Sequence, residues 1–94
     1  MAYALTIPDI VESEPMLSVS AHPDGVTFGV TIAIGDTAVR LAHVCANGEH
    51  LPLVILTTDA GIIALDSVFV TESTFSDHES IAYITFAAQA VRFV

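Results

Sequence analysis

Lysine is absent from this chain, tryptophan is absent, and there is one cysteine. Two arginines, Arg40 and Arg92, carry all the fixed positive charge against eleven acids, for a net charge of −9. Contacts to phosphate need Lys or Arg, so nucleic-acid binding is not expected. Anionic membrane surfaces are disfavoured for the same reason. A lone Cys45 leaves no intrachain disulfide. No uninterrupted apolar run reaches the roughly 18 residues of a membrane span. Met1 to Ser20 has neither a basic start nor a long apolar stretch, so no cleaved signal is expected. The expected location is the cytoplasm, with export by a route that uses no cleaved signal left open.

What is abundant is apolar surface. Hydrophobic residues make up 53% of 94 residues and charged residues only 14%. A single domain spanning 1–94 buries a limited core. The apolar share exceeds what such an interior takes up, so part of it is expected to face another subunit. The other reading is a monomer with an apolar surface. The acid excess keeps such a chain soluble by mutual repulsion.

Along the chain the pattern is that of strands. Tyr3–Ile7 reads as a short strand stopped by Pro8-Asp9. Glu12–Pro15 reads as a polar break, and Met16–Ser20 pairs again. His22-Pro23-Asp24-Gly25 is a turn. In Val26–Ile34, the side chains of Val26, Phe28, Val30, Ile32 and Ile34 share one face. Gly29 within it marks a bulge or a close approach of backbone. The period then changes. Asp36 or Thr37 is suited to cap a helix, and Ala38, Leu41, Ala42 and Cys45 form its apolar stripe. Arg40, His43 and Asn47 point away. Asn47-Gly48 supplies a left-handed stop.

Leu51–Thr57 is a continuous apolar run, the mark of a strand covered on both faces. Ile62–Thr71 follows, broken at Asp66-Ser67, then a polar loop over Glu72–Glu79, then a long strand to Val94. Hairpin-sized connections make the strands mostly antiparallel. The expected fold is mainly β: an antiparallel two-sheet barrel or sandwich of about six strands, with one short helix at its side between the third and fourth.

Few residues carry chemistry. His43 and Cys45 are two apart on a helix and face differently. Cys45 reads as an apolar filler rather than a nucleophile. Asp77-His78-Glu79 lacks spaced partners for a metal. Most acids lie in predicted turns, where they serve local backbone hydrogen bonds. Asp66 stands out inside an apolar strand; it faces solvent, pairs with Arg40 or Arg92, or lies at a subunit interface. No glycine-rich phosphate loop, nucleophile elbow or His-Glu-x-x-His helix occurs. Neither a catalytic residue nor a cofactor nor a metal is therefore expected.

One segment has a distinctive order: Leu41, then Cys45-Ala46-Asn47-Gly48-Glu49-His50-Leu51-Pro52, then Val54-Ile55-Leu56-Thr57. It resembles the haemolysin-coregulated protein (Hcp) family, the tube subunit of bacterial type VI secretion. There a short helix ends in a small residue or cysteine and Asn-Gly; a charged residue, histidine, an aliphatic residue and proline then lead into an apolar strand. Asn47, Gly48, His50 and Pro52 are the helix-stop motif. Val26–Thr31 with Asp36-Thr37 resembles the family's strand before the helix. Ile63–Thr71, Glu79-Ser80-Ile81 and Phe86–Phe93 resemble its last strands. Tyr3–Ile7 and Asp9–Glu14 match more loosely.

Family members are longer, and the missing part falls among the early strands, so this chain reads as a short member. The resemblance implies a two-sheet barrel with a helix at its side. It also implies a homohexameric ring, rings stacked into a tube, and a spike protein and secreted effectors as partners. Asp66, Arg40 and Arg92 are the candidate interface residues. The competing functional readings are a small non-catalytic binding or adaptor module, acting as monomer or dimer, and a small enzyme or metal protein using Cys45 and a histidine.

Overall fold

The computed structural model describes residues 3–94. The order is β1 (Tyr3–Ile7), β2 (Val11–Ala21), β3 (Thr27–Ala33), α1 (Asp36–Asn47), β4 (His50–Thr58), β5 (Gly61–Ser76) and β6 (Ile81–Phe93). Every pairing is antiparallel, and the strands close a barrel in the order β1-β2-β3-β6-β5-β4. Closure is made by β4 returning to β1, with Leu5 opposite Leu56. Six antiparallel strands with a helix between the third and fourth is the architecture that the sequence pattern predicts.

The core follows from alternation. Phe28, Val30 and Ile32 of β3 are buried as the spacing predicts, with Val26 and Ile34 half-buried at its ends. Leu5, Leu56, Leu65, Ile84 and Phe86 complete the centre, each at most 1% exposed. Each such side chain contributes about 1.5–3 kcal/mol on leaving water.

Three strands change phase together. The buried positions run Leu51, Val54, Leu56 in β4, and Leu65, Val68, Val70 in β5. In β6 they run Ile84, Phe86, Ala88, followed by half-buried Val91 packed on the core. Leu51, Val68 and Ala88 are partners across the sheet, as are Val54, Leu65 and Val91. All three strands therefore skip one residue at one level. There the barrel bends into two sheets. Pro52 and Ser67, the latter at φ 54, lie at this bend. Asp66-Ser67 thus bends a strand rather than breaking it.

Other expectations are corrected. Glu12–Pro15 belongs to β2. Pro15 pairs with Ala4 on one side, and the β3 pairing begins only at Met16. A strand tolerates a residue without an N–H where one side is unpaired. Likewise Glu72–Ser76 is strand rather than loop, paired with Thr85–Ile81 of β6. The turn is confined to Asp77–Ser80. Its Ser and Thr composition reads as a loop, but the apolar alternation of β6 provides a template for it. Leu53 and Ile55 of β4 are half-buried on the outer face, so the chain itself covers that side of β4 only in part.

The helix is capped by Gly35 in extended conformation, with no side-chain cap. Asp36 instead sits in the first turn, where a carboxylate favours the positive helix end. Its buried residues are Ala38, Leu41 and Val44. Cys45 is half-buried and packs beside the core. Val44, not Cys45, fills the stripe, because the barrel wall meets the helix one residue earlier. At the other end Gly48 is left-handed, φ 64 and ψ 29, and donates to the Cys45 carbonyl at 3.2 Å.

Two stability outcomes follow. Gly48→Val costs more than about 1 kcal/mol in denaturant unfolding, because a β-branched residue resists this conformation. A wild-type midpoint would show that the stop does not depend on glycine. Ser73 has a buried Oγ with no hydrogen-bond partner among the described residues. Ser73→Ala is therefore expected to be neutral or stabilising by up to about 1 kcal/mol, since it removes an unsatisfied group. A loss above that range would show that the hydroxyl is satisfied.

Candidate functional site

The two outer faces of the barrel differ in chemistry. On the sheet containing β4 and the first half of β5, rows of partners face outward. Leu53, Asp66 and Ala90 form one row, and Ile55, Ala64 and Arg92 the next. Ile62 follows at 40% exposure, and Phe93 and Val94 at the strand end are 77% and 78% exposed. This outer face is apolar except for one ion pair and Thr57, which stands opposite Ile62. Arg92 Nε donates to Asp66 Oδ2 at 2.7 Å and Nη2 to Oδ1 at 3.0 Å. The Arg92 guanidinium holds the Asp66 carboxyl below its usual range, and Asp66 raises Arg92 in return. At this exposure the pair is screened by water; it orients the two side chains more than it stabilises the fold.

The outer face of β2, β3 and the first half of β6 is lined by hydroxyls. Ser18 donates to Thr31 Oγ1 at 2.9 Å. Ser20, Gly29, Tyr83 and Thr85 continue a shallow groove of about 300 Å³, with His22 at its rim. Gly29 leaves room there: a Cβ would lie 3.8 Å from His22 Nε2. That is an ordinary contact with a side chain, so no close backbone approach requires Gly29, and the bulge on this strand pair lies between Met16 and Ser18 of β2.

The helix-stop residues are gathered at the α1–β4 junction. Asn47 donates to Glu49 Oε2 at 3.2 Å. His50 meets the Phe69 ring edge-on, with centroids 5.3 Å apart. Pro52 is exposed at the bend. These positions shape a connection and do not line the hydroxyl groove. Arg40 lies apart from Asp66 and Arg92: its Nη1 donates to the Ile10 carbonyl at 2.8 Å. It ties α1 to the β1–β2 turn, beside exposed Val39. Among the described residues Cys45 is a free cysteine with no hydrogen bond to a histidine, and no three His, Cys, Asp or Glu side chains are grouped to hold a metal ion.

Sequence reasoning placed Asp24 in a turn without seeing its reach. Its carboxylate accepts from the Thr27 hydroxyl at 2.6 Å and from the N–H groups of Val26 and Thr27, both at 2.9 Å. The Thr27 hydroxyl first, then these N–H groups, hold its carboxyl below the usual range. The signal was the Asp-Gly-Val-Thr order, which suits a side-chain-closed turn. The outward role of Tyr83 was hidden because its strand read as apolar on both faces.

No protein-family model and no curated protein matches the sequence. Solved structures do match in fold. Hcp2 from Salmonella typhimurium is 15% identical, over 97% of this chain and 84% of that one, with a TM-score of 0.85. Hcp1 from Salmonella typhimurium is 18% identical, over 99% and 87%, with a TM-score of 0.76. A type VI secretion system effector from Yersinia pestis is 14% identical, over 98% and 96%, with a TM-score of 0.78. At these identities the likeness concerns fold: the chain has the barrel of the Hcp proteins.

The depressed Asp24 carboxyl sets a pH dependence. A carboxylate that ionises more readily when folded stabilises above its unfolded pKa of about 3.9, and this is lost as pH falls through the folded value. Wild type is therefore more stable than Asp24→Ala at pH 7, and the gap between their melting temperatures closes as the pH falls below about 4. An unchanged gap at pH 3 would contradict the assignment.

Proposed function

We propose that this chain is a ring- and tube-forming subunit of a type VI secretion system or related contractile injection apparatus, serving as a conduit or carrier for effectors without catalysis. The observation that carries this reading is the match to Hcp2 over 97% of the chain. The Asn47-Gly48-Glu49-His50-Leu51-Pro52 order supports it independently. The expected assembly is a homohexamer whose rings stack, with a spike protein and secreted effectors as partners. Assembly starts in the cytoplasm, and export follows.

A closed ring requires two different patches of one subunit to meet. The first patch is the apolar face carrying Leu53, Ile55 and the Asp66–Arg92 pair. The second is the exposed flank of α1, with Val39 and Arg40. An apolar sheet face only partly covered by its own chain is what a neighbouring subunit buries. The hydroxyl-lined groove favours a second reading, a small non-catalytic binding or adaptor module acting as monomer or dimer.

Negative-stain imaging with native mass spectrometry separates the two. Rings of hexamer mass are expected at micromolar protein; a monomer or dimer would overturn the ring. Ile55→Glu should weaken ring formation by more than about tenfold, because it places a charge in an apolar contact. Its far-ultraviolet circular dichroism should be unchanged. Rings of wild-type stability in this variant would remove the β4 face from the interface.

A further inference from the structure

We propose that copies of this chain meet without ion pairs across their contact, so that salt promotes their association. This rests on the ring reading above and deepens it. The argument begins with the scarcity of cations. Two arginines face eleven acids, and no lysine exists. Arg92 is held within its own subunit by both oxygens of Asp66. Arg40 donates to its own chain's Ile10 carbonyl and is the one arginine without a carboxylate partner among the described residues. A neighbour that is a second copy brings the same poverty. The apolar face offers one acid, Asp66, already bound by Arg92. No other acidic side chain among its outward rows awaits Arg40.

The electrostatic cost of contact is then uncompensated. Each subunit brings a net charge of −9 to a neighbour of −9. Many of these acids stand exposed at the turns, including Asp9, Asp24, Asp59, Asp77 and Glu79. The screening length is about 30 Å at 0.01 M salt and about 10 Å at 0.1 M. The subunit measures 34 × 32 × 28 Å. At low salt the repulsion therefore spans a whole subunit, and at moderate salt it is confined to near neighbours. The attraction comes from Leu53, Ile55, Ile62 and Val94, and such apolar contact changes little over this range of sodium chloride. An interface built on complementary charge behaves oppositely and weakens with salt.

The test is sedimentation velocity of the full chain at fixed protein concentration in 10 and 300 mM sodium chloride, on the order of the screening lengths above. Association at least about tenfold tighter at the higher salt is expected. The variant Asp9→Asn/Glu12→Gln/Asp77→Asn/Glu79→Gln removes four acids, taking the net charge from −9 to −5. Folded by circular dichroism, it should associate in 10 mM salt as wild type does only at higher salt. Assembly that weakens with salt, or ignores it, would overturn this inference and leave the ring standing. Monomer at every salt would overturn both.

Discussion

The shared bend in β4, β5 and β6 is the constraint on which the rest of the structure depends. A strand shows alternate residues to alternate faces, and a strand that keeps one phase keeps one buried face. Here Leu51, Val68 and Ala88 point inward on one side of the bend, and Val54, Leu65 and Val91 on the other. A skip in one strand alone would turn its partners' side chains outward. Because all three skip at one level, the pairing survives and the sheet folds over itself. The barrel closes, and the two halves of β5 and β6 present outer faces of different chemistry.

That division explains why one small chain carries two unlike surfaces. Before the bend, β5 offers Ile62 and Asp66 to an outer face shared with Leu53 and Ile55. Beyond it, β6 offers Tyr83 and Thr85 to a face shared with Ser18, Ser20 and Thr31. The helix then fills the space beside β5, placing Leu41 and Ala38 in the core with no exposed area. Its length is set by Gly48, which turns the chain back in time for Leu51 to enter the barrel.

Local features were the ones legible in the sequence. Tyr3–Ile7 and the alternation of Phe28, Val30 and Ile32 follow from side-chain period alone. The Asn47-Gly48 stop follows from backbone sterics. The bend was not legible, because it resides in the agreement of three strands far apart in the chain; Asp66-Ser67 alone looks like an interruption. The polar half of β5 was likewise hidden, since its strand character comes from pairing with β6 and not from its own composition. Asp66 was visible as an acid out of place. Which arginine it meets is decided by register, which puts Ala64 opposite Arg92 and Asp66 diagonally beyond it.

The same register bears on how such a chain stays dispersed until it assembles. An apolar outer face is a liability unless something discourages random contact. Here five of the eleven acids stand exposed in turns, and the one acidic side chain on the apolar face is neutralised by its neighbour on β6. Repulsion thus acts between whole molecules at a distance, while the contact face itself is free of net charge. A specific, well-fitted contact buries enough apolar area to overcome the repulsion; a poorly fitted one does not. Long-range charge then selects for shape, with no paired charges at the interface to enforce the choice.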